Sequence, residues 1–388
     1  MKKLSNKSLS VEPSLTRKLF NLAHSYNDVI DFTLGDPDVP TPMGIKKAGC
    51  SAIMENKTRY SQNAGLLELR KSISKYNQVR ENIIYNPETE ILVSVGAMEG
   101  LFLALLSILD DFDEVIIPAP YYINYKQMVR ICGGIPIVVE DSMNQLECSI
   151  ETIKTAISEK TKAIIINTPC NPTGKVFDNN FIAEISDIAK KYDLYVITDE
   201  VYKCLIYDQA ERPCSIASYE GMKERTIYIN SLSKEFCMTG WRIGYVLANA
   251  EVISTMTILQ ENIVACAPLP SQYAAIEALR TDYNYSAEMV DIFERRRNIL
   301  IEEFRNAKNI RCIKPQATFY AMVDISNTGM KSEQFSYALL EREHVAVVPG
   351  ITYGNCCDNY IRMAFTIDEN LIRKGVYRIC RFVDYLCT

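Results

Sequence analysis

The stretch TIYINSLSKEFCMTGWRIGY, residues 226–245, opens on a short β-branched run and passes directly into a segment dense in hydroxyls, with Lys234 and, eight positions on, Arg242. A continuous apolar run with little alternation is what a strand covered on both sheet faces requires. The same kind of run recurs at ILVSV (91–95), EVIIP (114–118), IPIVVE (135–140), KAIIINT (162–168), LYVIT (194–198) and RIGYVLA (242–248). Between most of them lie helical patterns: AMEGLFLALLSIL (97–109), YINYKQMVRIC (122–132) and NNFIAEISDIAKKY (179–192). Strand, helix and strand in succession predict an α/β unit with right-handed crossovers, that is, a mostly parallel seven-stranded sheet with helices on both faces. The run at 242–248 follows too closely for a crossover, which points to an antiparallel strand.

Outward from this block the pattern changes. SAEMVDIFERRRNILIEEF (286–304) reads as a long amphipathic helix linking two units. FYAMVDI, a helix over 332–343, VAVVPG, IRMAF and a closing helix from about 369 then suggest a smaller α+β domain. A chain of 388 residues exceeds one ordinary core. The expected division is an N-terminal arm over 1–44, a large domain over 45–283 and a small domain over 284–388.

Composition removes several classes of function. A net charge of −6 lacks the basic field that nucleic acid or a membrane surface would call for. No stretch is apolar over the length needed to cross a bilayer, and the first residues carry no apolar run like that of a signal peptide. Thirteen cysteines include no CxxC pair, so reduced thiols in the cytoplasm are expected and no metal. Two histidines, His24 and His344, are too few and too far apart in sequence for a histidine triad or a multi-histidine metal site, and both read as surface or packing positions. Catalysis must therefore use lysine, carboxylate, tyrosine or a cofactor.

In parallel sheets, ligands bind at the carboxyl ends of strands, so the residues just after each run matter most. Lys234 follows a buried strand between hydroxyls, where a lysine can act as an amine nucleophile towards an aldehyde. Ser231, Ser233 and Arg242 supply donors suited to a phosphate. Gly96, Ala97 and Met98 open a helix directly after a strand, leaving free N–H groups at a positive dipole end. Asp199 and Tyr202 follow LYVIT, and Asn171 lies in the NPTG turn after KAIIINT. Gly174-Lys175 lacks the first glycine of a phosphate-binding P-loop, so that reading is rejected.

Taken in order, SLSKEFCMTGWRIGY, D-E-V-Y at 199–202, NPTG at 171–174, GAMEG at 96–100, APYYINY at 119–125, LGDPDVPTP at 34–42, RYSQNAGLLELR at 59–70 and IRMAF at 361–365 resemble the class I/II aminotransferases. These are the fold-type I pyridoxal-phosphate enzymes, and the nearest branch holds bacterial aspartate, aromatic and acetyl-diaminopimelate aminotransferases. The resemblance runs from about residue 13 to the end. It implies pyridoxal 5'-phosphate held as a Schiff base on Lys234, with the freed lysine amine moving the substrate Cα proton. Asp199 would pair with the ring nitrogen, while Asn171 and Tyr202 would bond the ring hydroxyl. Tyr122 would stack on the ring, with Tyr125 close to Asp199. The amides of Ala97 and Met98, with Ser231, Ser233 and Arg242, would take the phosphate. Gly35 would lie beside the substrate, and Arg362 would grip its α-carboxylate. Tyr60 would reach the phosphate in the neighbouring subunit, which implies a homodimer with shared active sites.

The implied reaction is ping-pong transfer of an amino group from an L-amino acid to a 2-oxo acid, with glutamate and 2-oxoglutarate as the default pair. The same scaffold also runs carbon–sulfur β-elimination, and a third reading is cofactor binding without catalysis. Met98 stands where aspartate-specific bacterial relatives often place a lysine that serves the second carboxylate. Its presence weakens the case for a dedicated aspartate enzyme.

Overall fold

The computed structural model describes the chain except at residues 1, 24, 142–145, 209–211, 281–283 and 388. His24 therefore lies outside the described residues. Seven strands, β1 (Ile91–Ser94), β2 (Glu114–Pro118), β3 (Ile135–Val139), β4 (Thr161–Asn167), β5 (Tyr195–Asp199), β6 (Thr226–Ser231) and β7 (Gly244–Leu247), form one sheet in the order β1-β7-β6-β5-β4-β2-β3. β2 to β6 pair in parallel, while β7 runs antiparallel to both of its neighbours.

The apolar runs lack alternation because each face of the sheet has its own cover. In β4, Ile165 points into a cluster with Leu101 and Leu105 from the helix Gly96–Ile108. Ile164 and Ile166 point the other way, onto Ile182 and Ile185 of the helix Asn179–Tyr192. Each such side chain contributes about 1.5–3 kcal/mol by leaving water. The helix Asn179–Tyr192 starts where Asp178 accepts the Phe181 N–H at 2.8 Å, and it ends at Asp193 in the left-handed region.

A second sheet of four strands lies C-terminal to the first. Val348–Pro349, Tyr360–Ala364, Tyr320–Asp324 and Arg311–Cys312 pair antiparallel in that order. The helices Ala287–Phe304, Ser332–Glu343 and Glu369–Leu386 supply its packing residues, among them Phe293, Phe335 and Phe382.

VAVVPG is not a single strand: Val345–Ala346 pairs in parallel with Ile30–Asp31, and Val348–Pro349 joins the four-stranded sheet. A run of six buried residues satisfies either pairing locally, so the partners alone decide where it breaks. The N-terminal segment is thereby fixed beside the second sheet, which brings Thr33, Leu34 and Gly35 over the ends of β5 and β6. Among the described residues no helix is long and apolar enough to cross a membrane.

Candidate active site

The carboxyl ends of β4, β5 and β6, the start of the helix Gly96–Ile108 and the segment 33–35 enclose a cavity of ≈ 350 Å³. Ala97, Met98, Tyr122, Asn171, Asp199, Tyr202, Ser231, Ser233, Lys234, Arg242, Gly35 and Arg362 all line it. Tyr60 does not: it stands on the surface, 87% exposed. Tyr121 is buried outside the cavity, while its neighbour Tyr122 faces in.

Asp199 ends β5 inside the protein. Burial raises its carboxyl to about 6, against hydrogen bonds from the Tyr125 hydroxyl and the Val201 N–H that favour the charged form. The Tyr125 bond is 2.6 Å long and the Val201 bond 3.3 Å. Asn167, the last residue of β4, donates to the Asp199 carbonyl at 2.9 Å and accepts from the Asn171 N–H at 2.8 Å. Two strand ends are thus clamped to each other, and Asn171 is aimed by its own backbone. The next residue, Glu200, is buried against Lys203 at 2.6 Å and accepts from Ser215 at 2.6 Å.

Among the described residues Lys234 is the one lysine that lines the cavity. Its Nζ donates to the Gly35 carbonyl at 2.7 Å. The following residue, Glu235, is buried and bonded to Tyr76, so the short helix Leu232–Glu235 is anchored from behind. A Cβ at Gly35 would lie 1.7 Å from the Tyr320 hydroxyl oxygen, so a side chain there would require the buried Tyr320 ring to move.

The anion-binding end is built from loops and one strained residue. Arg242 adopts φ 52°, left-handed backbone that arginine rarely takes. That turn, just before β7, sends its guanidinium against Gly96, where an added Cβ would meet Nη2 at 2.5 Å. Ser231 Oγ stands 2.8 Å from Ser233 Oγ. Arg242, two serine hydroxyls and the free N–H groups of a helix start therefore face one space. With a buried carboxylate and an accessible lysine beyond, this donor set fits pyridoxal phosphate: anion cradle, ring-nitrogen partner and amine. Among the described residues no group of three or more His, Cys, Asp and Glu is arranged to hold a metal ion.

Arg362 enters from the middle of the strand Tyr360–Ala364, 5% exposed. It donates to the Asn171 side chain at 3.3 Å and to the Thr33 carbonyl. Its Nε has no partner. The guanidinium lies 4.3 Å from the Tyr320 ring centroid and 5.3 Å from that of Tyr353. Tyr202 meets the Tyr320 hydroxyl at 3.2 Å, which links the ends of the two sheets.

Sequence reasoning passed over Tyr320, Tyr353, Asn124 and Asn167, and the arm residues Ser14, Thr16 and Arg17, all of which line the cavity. Asn167 carried a usable signal, as a polar residue closing an isoleucine run. The arm residues carried none, because only the course of the N-terminal chain brings them there.

The model for the family aminotransferase class I and II matches residues 27–379. The chain is 40% identical over 372 residues to an aspartate aminotransferase of Pyrococcus abyssi, covering 95% of each. It is 37% identical to the aromatic-amino-acid aminotransferase 2 of Thermococcus litoralis, covering 97% of each. The solved aromatic aminotransferase of Pyrococcus horikoshii superposes with a TM-score of 0.89 at 36% identity, over 95% of this chain and 99% of that one.

Proposed function

The chain belongs to the aminotransferase class I and II family, and from that premise we propose which of its residues perform the pyridoxal-phosphate-dependent transfer of an amino group. When bound, pyridoxal phosphate supplies an aldehyde that condenses with amines and a protonated ring that withdraws electrons from a substrate α-carbon. Lys234 is the covalent anchor and, once its amine is free, the base that carries the Cα proton. Asp199 holds the proton on the ring nitrogen, and it can do so because Tyr125 and Val201 favour its charged form within a site where burial does not. Asn171 and Tyr202 hold the ring hydroxyl, and Tyr122 covers the ring face. The Ala97 and Met98 amides, Ser231, Ser233 and Arg242 hold the phosphate. Arg362 orients the substrate through its α-carboxylate beside Gly35, as the fork geometry of a guanidinium favours.

The observation that carries this reading is that a lysine amine, a fully buried carboxylate and a half-satisfied buried guanidinium share one cavity with an anion cradle. The active unit is a homodimer in which Tyr60 reaches the phosphate of the neighbouring subunit. Its exposure in the single chain and its place outside the chain's own cavity support this. The chain divides into an arm of 1–44, a large domain of 45–283 and a small domain of 284–388. All seven strands of the first sheet fall in the second segment and all four of the second sheet in the third. Thirteen cysteines, none of them in a disulfide among the described residues, suit a cytoplasmic protein. Glutamate and 2-oxoglutarate form one substrate pair.

The test is a visible absorbance spectrum of the purified protein before and after single amino acids are added. Bleaching of a yellow protein with release of a 2-oxo acid supports the reading and names the donor. Pyruvate and ammonia released from a sulfur amino acid would instead mark the lyase.

A further inference from the structure

The connection between the strands Val348–Pro349 and Tyr360–Ala364 carries Tyr353 to the cavity and, just beyond it, sets two cysteines side by side. It is built from two 3₁₀ turns, Gly350–Tyr353 and Asn355–Cys357, joined at Gly354. Gly354 has φ 134° and ψ 153°, a region open essentially to glycine alone. Both turns are tied to the first sheet's side of the molecule. The Tyr121 N–H donates to the Tyr353 carbonyl at 3.2 Å, and the Asn355 N–H donates to Glu140 at 2.6 Å.

Neighbouring side chains on a 3₁₀ turn point about 120° apart and have no reason to meet. Here the sulfurs of Cys356 and Cys357 nonetheless stand 3.8 Å from each other. A disulfide would need about 2.05 Å. Two sulfurs bound at about 2.3 Å to one tetrahedral centre stand about 3.8 Å apart. The spacing is therefore that of two sulfurs sharing a single soft atom. The two thiols also differ in access. Cys357 is buried among Met322, Tyr360 and Leu146, whereas Cys356 is only partly buried. The Cys357 S–H donates to the Cys356 sulfur and holds the outer thiol below its usual range, against burial. An outer sulfur that ionises readily can attack first, and the inner one is already in contact to close the ring. Among the described residues no third His, Cys, Asp or Glu completes a metal site with this pair. The fitting ligand is thus a centre that asks the protein for two sulfurs only.

We propose that Cys356 and Cys357 form a dithiol site that captures an organic trivalent arsenical and that capture fixes the turn carrying Tyr353. With an arsenoxide, two S–H bonds break and two As–S bonds form. The oxygen leaves as water with both thiol protons, and arsenic stays trivalent, so no oxidant enters. The capture itself does not depend on the amino-transfer reading; its effect on turnover does.

The test treats the holoenzyme with one equivalent of phenylarsine oxide in excess glutathione, which competes for single thiols. Intact mass and peptide mapping then locate the adduct. One phenylarsenic group is expected on the peptide that holds both cysteines, released by excess dithiothreitol. It should be kept in Cys50→Ser, a change at an exposed thiol elsewhere, and absent from Cys356→Ser, whose fold is checked by thermal melting. No adduct in the wild type, an adduct on other cysteines, or one retained in Cys356→Ser would overturn the site. Release of 2-oxo acid should fall about tenfold or more on treatment of the wild type and stay within about twofold in Cys356→Ser. Unchanged turnover in an adducted wild type would overturn the link to Tyr353. A protein that takes the adduct but shows no turnover before treatment would keep the dithiol site and sink transamination.

Discussion

The two ends of the cavity differ in how much of their polarity is already spent. Where the sheet strands end, Asp199 is bonded to Tyr125 and Val201, Asn167 clamps β4 to β5, and Glu200 and Glu235 are tied down behind the site. Where the second sheet and the N-terminal segment meet, Arg362 Nε, Thr33 Oγ1 and the Tyr353 hydroxyl are buried without partners. Native proteins rarely leave buried polar groups unmatched. On the proposed reading the first end holds the cofactor still, and the second is completed by the substrate.

That contrast can be broken most sharply at the first end. Lys234→Ala should lower the rate of 2-oxo acid release by at least about 10⁴-fold, since it removes both the anchor and the base. A steady-state assay with any amino acid that bleaches the wild type reads the effect, and full retained turnover would sink the assignment.

Asp199 comes next, because its burial is costly only in the charged form. Its carboxyl in the folded protein, at about 6, lies above its ordinary value of 3.8. Protonated Asp199 therefore stabilises the cofactor-free protein at low pH, and this contribution is lost as pH rises through about 6. The loss amounts to about 3 kcal/mol. Denaturant midpoints of cofactor-free wild type and Asp199→Asn, measured on both sides of that pH, should show a shallower decline in the variant. Parallel profiles would mean that the group does not titrate there.

At the second end, Arg362→Lys keeps the charge but loses the fork. It should cost about 30- to 100-fold in kcat/KM across all amino acids, with no change in which amino acid is preferred. A change in preference would mean that Arg362 reads the side chain instead. The smallest effect is expected at the surface: Tyr60→Phe should speed loss of cofactor on dialysis by about fivefold. An unaltered loss rate would remove Tyr60 from the shared site.

Much of this molecule is legible in the sequence, and the reasons are local. Unbroken apolar runs such as KAIIINT mark doubly covered strands, because a residue on either face needs the same side chain. Polar residues after such runs are ordinarily caps and turns, so Asp199 and Asn171 were singled out through the resemblance of their motifs, and Lys234 through its place among hydroxyls after a buried strand together with that resemblance. Arg362 was found through the resemblance of IRMAF, not through any spacing.

The rest had to wait for tertiary structure. The breaking of VAVVPG between two sheets depends on Ile30–Asp31, more than 300 residues away in the chain, which pairs with its first half while the Tyr360–Ala364 strand pairs with its second. Arg17, Thr16 and Tyr353 converge because that same pairing fixes the N-terminal segment beside the second sheet. Nothing in their own neighbourhoods distinguishes them from surface and core residues of the same type. Sequence by itself determined the sheet, since strand patterning acts over a few residues, and its motifs carried the resemblance from which the cofactor follows. Only the folded chain decided which groups are left unsatisfied, and so what the second half of the site can bind, because hydrogen-bond satisfaction belongs to contacts between distant segments and to no segment alone.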